Sequence, residues 1–391
     1  MNLGRYVFAQ VADFIPRYEF DRIVRKYNGD YHVRELSCYN LFLHLMFGQL
    51  TACDSIRDIS LCLKAHQRIL YPLGFRQTVN VSSLSRANRD RDCRIWEEFG
   101  QVLIGIVRPL YSSDPVPDVN LPGWEIFAVD STTVSCSIKL MTWAYGKYDR
   151  GAVKMHTVLD LRGGIPAFIY VTHGKWHDSN MLDVMEIIPW AIYVMDKAYV
   201  DFAALHNISG CDAYWVTRAK SNMRYEVVET NYNIDPATGL RGDHIIRLTG
   251  YKPAKLYPET FRMVEYTDLE SGEELVFITN LTEVGPLDVA NLYRNRWQIE
   301  TFFKWIKQNL TIKSWGHTEN AVKTHLWTAI CTYLIVARIK ASIKGCPYTI
   351  SEVATLLGVS ALSKTDITDL LTNPHNNLLN QNQDVNEPTL F

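Results

Sequence analysis

The sequence predicts an α/β protein preceded by an all-α N-terminal domain, and three observations carry that expectation. The first 110 or so of the 391 residues place apolar side chains at three- and four-residue steps, the period of helices with one buried face. From residue 125 the pattern changes to short apolar runs, two of which end in aspartate, with brief helical stretches between them. Between 225 and 280 the runs alternate or are β-branched and are separated by turns such as DPATG and ESGE, as in a β-rich segment.

Within the first part, FDRIVRKY, NLFLHLMFGQL and SIRDISLCLKAHQRIL read as helices, with Asp54 and Ser55 suited to cap the third. After the break YPLGFRQTVN, one long helix, SSLSRANRDRDCRIWEEFGQVLIGIV, is expected to start at Ser82 or Ser83. Its first turns would carry Arg86, Asn88, Arg89 and Arg91. A short helix, a turn and a basic second helix are how a helix-turn-helix presents itself, although such pairs are equally often plain packing units. The loop SSDPVPDVNLPG marks a boundary. EIFAVD, VKMHTVLDL, IPAFIYVTHG, AIYVMD and DAYWVTRAK then read as strands, with SNMLDVMEII and FAALHNI as short helices. Helices resume at LDVANLYRNRWQIETFFKWIKQNL and ENAVKTHLWTAICTYLIVARIKASI, and the Asn- and Gln-rich end is expected to be disordered. These signals divide the chain into a helical domain at 1–112, an α/β core at 120–222 and 284–345, a β-rich insertion at 223–283 and a disordered tail at 370–391.

Composition narrows the partners less than the pattern does. The chain is 47% hydrophobic and 21% charged with a net charge of −2, so it lacks the global basic signature of many nucleic-acid-binding proteins. The first 110 residues nevertheless carry roughly four more Lys and Arg than Asp and Glu. Eight scattered cysteines form no Cys-x-x-Cys pair, which argues against a zinc ribbon and for a reducing compartment, the cytoplasm. MNLGRYVFAQ has no basic region followed by an apolar stretch, so no secretory leader is expected. No membrane span is expected either: the run at 326–337 is too short and reads as a buried helix.

Asp130 and Asp196 end two apolar runs. In an α/β sheet, side chains there gather at one edge, and two carboxylates without cysteine neighbours favour a hard ion such as Mg²⁺, with Mn²⁺ as a substitute. Asp also ends strands for purely structural reasons. The helix that follows the β-rich segment adds Tyr293, Arg296, Glu300 and Lys307, which on one uninterrupted helix fall within an arc of roughly 60°. A carboxylate, two cations and a phenol on one stripe suit a metal beside phosphates; they are equally an exposed stripe with ordinary i,i+4 pairing.

Tyr293-x-x-Arg296-x-x-x-Glu300-x-x-x-x-x-x-Lys307 resembles the Tyr-Arg-Glu-Lys signature of the insertion-sequence family four transposases, a branch of the DDE transposases. AVDSTTV around Asp130 and VMDKAYVDF around Asp196 resemble that family's first two catalytic blocks, with Ala198 where many members have Gly. KMHTVLDLRGGIPAFIYVTHGKWHD, containing Lys154, His156, His177 and Asp178, and WVTRAKSN, containing Arg218 and Lys220, also resemble family blocks. The stretch from GRYVFAQVADFIP to LSRANRDRD resembles the N-terminal domain of one subgroup.

The resemblance implies a ribonuclease-H-like catalytic core with the β-rich insertion between Asp196 and Glu300. It implies cut-and-paste DNA transposition, with metal-dependent strand cleavage through hairpin ends followed by strand transfer. Asp130, Asp196 and Glu300 would be the catalytic metal ligands. Tyr293, Arg296 and Lys307 would contact DNA, and Trp297 would be either a DNA contact or a core residue. Arg218 and Lys220 would bind the DNA backbone or face water, and Arg86, Arg89 and Arg91 would serve the N-terminal DNA-binding domain. The partners implied are the element's terminal inverted repeats and target DNA, met by a homodimer on paired ends at the bacterial nucleoid. Two other functions fit the same residues: a DNA-binding protein without catalysis, and a metal-dependent nuclease without strand transfer.

Overall fold

The computed structural model describes residues 4–135, 152–309 and 318–372. Packing divides them into two compact units, one of residues 4–110, 305–309 and 318–372 and the other of 111–135 and 152–304.

The first unit is helical: α1 Val7–Asp13, α2 Arg17–Lys26, α3 Cys38–Leu50, α4 Ile56–Ala65, α5 Val81–Asp90 and α6 Arg94–Val107. Ser37 caps α3 by accepting from the Asn40 amide, and Ser55 caps α4 by accepting from Asp58. The helix expected to begin at Ser82 or Ser83 begins at Val81, with Asn80 as its cap. It is also two helices, because Arg91 is extended (φ −72°, ψ 135°) and ends α5.

The later helix Glu319–Ser342, called α11 below, is buried on nearly every side and packs mainly against α6 and α3. The fit is close. A Cβ on Gly100 of α6 would lie 2.7 Å from the Trp327 ring, and Gln49 Nε2 and His325 Nε2 stand 2.5 Å apart. Two further helices, Ile350–Val359 (α12) and Ile367–Thr372 (α13), complete the unit. The sequence boundary that gave 284–345 to the α/β core is therefore not the boundary that packing draws: α11 belongs with the N-terminal helices, whose core it fills. Of the expected disordered tail, 370–372 end α13 and 373–391 lie outside the described residues.

The second unit is built on one nine-stranded sheet of order β3-β2-β1-β4-β5-β9-β8-β7-β6. Its strands are β1 Ile126–Ser135, β2 Ala152–Asp160, β3 Ile165–His173, β4 Ile192–Met195, β5 Tyr214–Arg218, β6 Tyr225–Thr230, β7 Leu240–Leu248, β8 Phe261–Thr267 and β9 Glu274–Thr279. β1 runs antiparallel to β2 and parallel to β4, which is parallel to β5. The four strands of the β-rich segment continue this sheet, because β9 pairs antiparallel with β5. Phe127, Val129, Tyr193, Met195 and Trp215 are buried in one cluster with Leu205 and Ile208 of α7 (Phe202–Gly210). Burying a side chain such as Phe127 contributes about 2–3 kcal/mol.

After a short helix, α8 (Tyr251–Leu256), and the last strands, two helices follow: α9 Pro286–Arg294 and α10 Trp297–Asn309. The sequence pattern read these two as one. Buried Asn295 interrupts them, its side-chain amide donating to Pro117 O at 2.7 Å and to Asn291 O at 2.9 Å. The expected four-residue stripe is thus divided: Tyr293 lies on α9, Arg296 precedes α10, and Glu300 and Lys307 lie on α10. No helix among the described residues is long and apolar enough to cross a membrane.

Candidate active site

The parallel ladder of β1 and β4 ends at the pair Val129–Met195, and the next residue on each strand is an aspartate, Asp130 and Asp196. From this fork the strands diverge. β4 stops, and Asp196 caps a turn by accepting from the Ala198 amide at 3.0 Å. β1 does not stop: Asp130 lies inside it, opposite Thr157 of β2, and not at the strand end expected from sequence. The apolar run ends at Asp130, but the ladder to β2 carries the strand on to Ser135.

Arg296 links this fork to α10. Its Nη1 donates to Asp130 Oδ2 at 3.1 Å and its Nη2 to Glu300 Oε1 at 2.8 Å. The guanidinium therefore gathers two of the three expected ligands from remote parts of the chain. Tyr293 packs on Phe277 with ring centroids 4.9 Å apart, and the guanidinium carbon of Arg296 lies 5.7 Å from the Tyr293 ring centroid. Burial pushes the Asp130 carboxyl up to about 6; its own contacts with the Ser131 amide and Arg296 oppose this, and Asp196 and Glu300 add to it. Burial likewise raises Tyr293 above the usual phenol range.

Among the described residues, no three His, Cys, Asp or Glu side chains stand close enough to hold an ion as they are placed. The donor set nonetheless fits a hard divalent cation. Asp130, Asp196 and Glu300 offer only carboxylate oxygens, the ligands such an ion takes.

Arg218 and Lys220 leave β5 beside Asp196 and share with it a cleft of about 830 Å³ that Asn222 and Tyr225 also line. Both cations already have protein partners. Arg218 pairs with Glu273 at 2.8 Å, and Lys220 donates to Val200 O at 2.8 Å, tying β5 to the segment after Asp196. Trp297 is 55% exposed and is not a core residue. Lys307 is exposed on α10, and packing assigns it to the helical unit.

Arg86, Arg89 and Arg91 were expected in the first turns of a helix. They occupy the second half of α5 and the residue after it, where helical carbonyls and not amides are free. Arg89 pairs with Asp90 at 2.6 Å, and Arg91 donates to Leu36 O at 3.1 Å. Arg86, Arg91 and Arg34 line a cleft of about 490 Å³ in the helical unit.

Asp178, which the sequence leaves open between supporting the site and capping a turn, gathers Ser131, Lys154 and His156 around it. Ser131 Oγ donates to Asp178 Oδ1 at 2.5 Å, and Lys154 Nζ donates to the same oxygen at 3.1 Å and to Trp176 O at 3.0 Å. Burial opposes the charge on Asp178, but these two hydrogen bonds outweigh it and hold the carboxyl below its ordinary range. His156 is buried, and burial lowers it to about 4, so it is neutral; its Nδ1 stands 3.8 Å from Asp178. The signal was present in the KMH and HD blocks, but only the fold brings them together.

An α/β sheet with two aspartates at a parallel fork, and a glutamate drawn to one of them, defines an acidic site built from three distant segments. The family model described as Transposase DDE domain matches residues 122–335, which contain all three, and the chain belongs to that family. Residues 4–76 match a domain of unknown function (DUF4372). A Sinorhizobium fredii protein named as a transposase, y4zB, is 32% identical over 213 residues, 53% of this chain and 59% of that protein. A Synechocystis protein named as a transposase for insertion sequence element IS4SA is 28% identical over 265 residues, 66% of this chain and 72% of that one. A solved piggyBac transposase synaptic complex with hairpin DNA matches 97% of this chain and 80% of its own at 10% identity and a TM-score of 0.46.

Proposed function

We propose that this chain is an insertion-sequence transposase that cleaves and rejoins DNA by cut-and-paste transposition. The observation that carries the reading is the pair Asp130 and Asp196 that follows the β1–β4 ladder, with Arg296 linking Asp130 to Glu300, inside the span that matches the transposase domain. The strand order β3-β2-β1-β4-β5, with β2 and β3 antiparallel and β4 and β5 parallel to β1, supports reading the catalytic core as ribonuclease-H-like. In this reading β6–β9 are the insertion that separates Asp196 from Glu300.

Asp130, Asp196 and Glu300 would hold Mg²⁺ or Mn²⁺, and such ions supply activation of the attacking hydroxyl and stabilisation of the leaving oxygen. The side chains do the rest. Asp130, less exposed than Glu300, is oriented by the Ser131 amide at 2.7 Å. Arg296 carries a planar donor fork suited to a phosphate when it is not engaged by carboxylates. Tyr293, Trp297 and Lys307 are the further DNA contacts, with exposed Trp297 suited to stack on an unpaired base at a hairpin end. Arg218, Lys220 and Tyr225 line the cleft beside Asp196 and would meet the backbone of the same strand. In the helical unit, Arg86 and Arg91 with Arg34 would grip duplex backbone, and Arg89 would join by exchanging Asp90 for a phosphate. The duplexes are the terminal inverted repeats and the target, held by two copies of the chain.

The test is incubation of purified protein with its own element ends and Mg²⁺, resolved on denaturing gels. Cleavage at the ends, hairpin products and joining to a target are expected, with cleavage lost and end binding kept in Asp130→Asn, Asp196→Asn and Glu300→Gln. End binding without cleavage would leave a DNA-binding protein, and cleavage without joining a nuclease.

A further inference from the structure

Beyond Val129, β1 loses the β4 ladder on one edge and keeps only β2 on the other. Asp130 is the first residue past that loss, so its backbone is held less firmly than a central strand would hold it. Side-chain ties replace the missing ladder. The Ser131 amide donates to Asp130 Oδ1 at 2.7 Å, and the Ser131 hydroxyl is itself anchored on Asp178. Asp178 follows β3, and Lys154 of β2 holds the same Asp178 oxygen while also donating to Trp176 O. The His156 ring closes this pocket from β2 through an edge contact with Trp176, centroids 4.6 Å apart, and donates to or accepts from Thr172 Oγ1 at 2.9 Å. Lys154 and the Ser131 hydroxyl thus both hold Asp178, and the backbone of the same Ser131 holds the carboxylate of Asp130.

The geometry points to Ser131, Asp178 and Lys154 as positioning residues that fix the Asp130 carboxylate for metal binding. This rests on the reading of Asp130 as a metal ligand. Partners of this kind orient a ligand and set its donor strength, and their loss typically weakens metal affinity by about 10- to 100-fold. Ser131→Ala keeps the amide bond to Asp130 but frees it from Asp178. Asp178→Asn keeps the shape but loses the charge that holds Lys154. Lys154→Met leaves Asp178 with Ser131 alone.

The test is Mn²⁺ binding to the full chain without DNA, followed by electron paramagnetic resonance, with the melting temperature of each variant measured alongside. Native protein should bind Mn²⁺ in a manner lost in Asp130→Asn. Ser131→Ala, Asp178→Asn and Lys154→Met should each weaken that binding by about tenfold or more with the melting temperature nearly unchanged, and Ser131→Thr, which keeps the hydroxyl, should restore it. Thr133→Ala, two residues further along β1, should bind as the native chain does. Native-like binding in all three variants would overturn the inference and leave the metal reading intact. So would weakening that tracks a fall in melting temperature and is not restored by Ser131→Thr. Native protein whose Mn²⁺ binding ignores Asp130 would overturn both readings.

Discussion

Arg296 and Asp130, 166 positions apart in the chain, are joined by a hydrogen-bonded ion pair of 3.1 Å, and the other arm of the same guanidinium holds Glu300 at 2.8 Å. A cation that bridges two ligands competes with any ion that needs them. Arg296→Gln should therefore tighten Mn²⁺ binding to the DNA-free protein by about two- to fivefold, the equivalent of an ion pair worth roughly 0.4–1 kcal/mol. It should also slow cleavage at saturating metal, because the phosphate-binding fork is gone. Isothermal titration with Mn²⁺ and single-turnover cleavage separate the two effects. Weaker Mn²⁺ binding in this variant would show that Arg296 supports the ion instead.

The raised Asp130 carboxyl makes a stability prediction with a defined sign. Its folded value of about 6 lies above its ordinary 3.8, so the protonated form favours folding. That contribution is fully present below pH 3.8 and is lost as pH rises through 6. Without metal at pH 7.5, Asp130→Asn should be more stable than the native chain by on the order of 1–3 kcal/mol. The gap should close as pH falls from 6 towards 4, and also when Mn²⁺ is added to the native protein at pH 7.5. Urea melts across this range test it; a gap that does not change with pH would refute the assignment.

The N-terminal helices should not fold by themselves. A fragment ending near residue 113 lacks α11, whose Trp327, Ile330 and Leu334 are buried in the helical unit. Circular dichroism and proton NMR of the fragment should show an unfolded or aggregated chain. Two point variants probe the same packing. Gly100→Ala sets a methyl against Trp327, and Gly358→Ala sets one against the Leu50 carbonyl, which cannot swing aside as a side chain can. Gly100→Ala should cost about 1–3 kcal/mol and Gly358→Ala more.

Trp297, more than half exposed, should be replaceable by Ala with a change in folding stability within about 0.5 kcal/mol. Cleavage of element ends should nevertheless slow by roughly 5- to 100-fold, if a base stacks on the indole. Thermal melts and single-turnover gels together decide it. Unchanged cleavage would remove Trp297 from the DNA contacts.

How much of this could be read beforehand follows from what each signal contains. Asp130 and Asp196 were legible because apolar runs announce strands, and the residue that ends the run stands out. That Asp130 lies within its strand was not legible, since the continuing ladder is supplied by β2, far along the chain. The break between α9 and α10 was hidden because apolar spacing runs straight through it, while the residue that makes it, Asn295, acts through Pro117. The all-round apolar character of α11 announced burial but could not say in which unit. Arg86, Arg89 and Arg91 fall late in α5 and just after it for a simpler reason: the pattern reads on through Arg91, whose extended backbone ends the helix and leaves no trace in apolar spacing. The β segment was legible as strands, but alternation carries no information about neighbours, so its fusion to β5 was not.

That fusion limits how the protein could be made smaller. Removing 225–279 would strip β9 from Val216, Thr217 and Arg218 and leave β5 as a raw sheet margin, its amides and carbonyls open to any passing strand. The natural margin is β6, where Glu226 and Glu229 flank a bulge and exposed side chains face water. β5 has no such guard, since Trp215, Val216 and Thr217 are all buried. A trimmed chain would trade a soluble rim for an adhesive one, and copies would stack through it into aggregates before any question of catalysis arose.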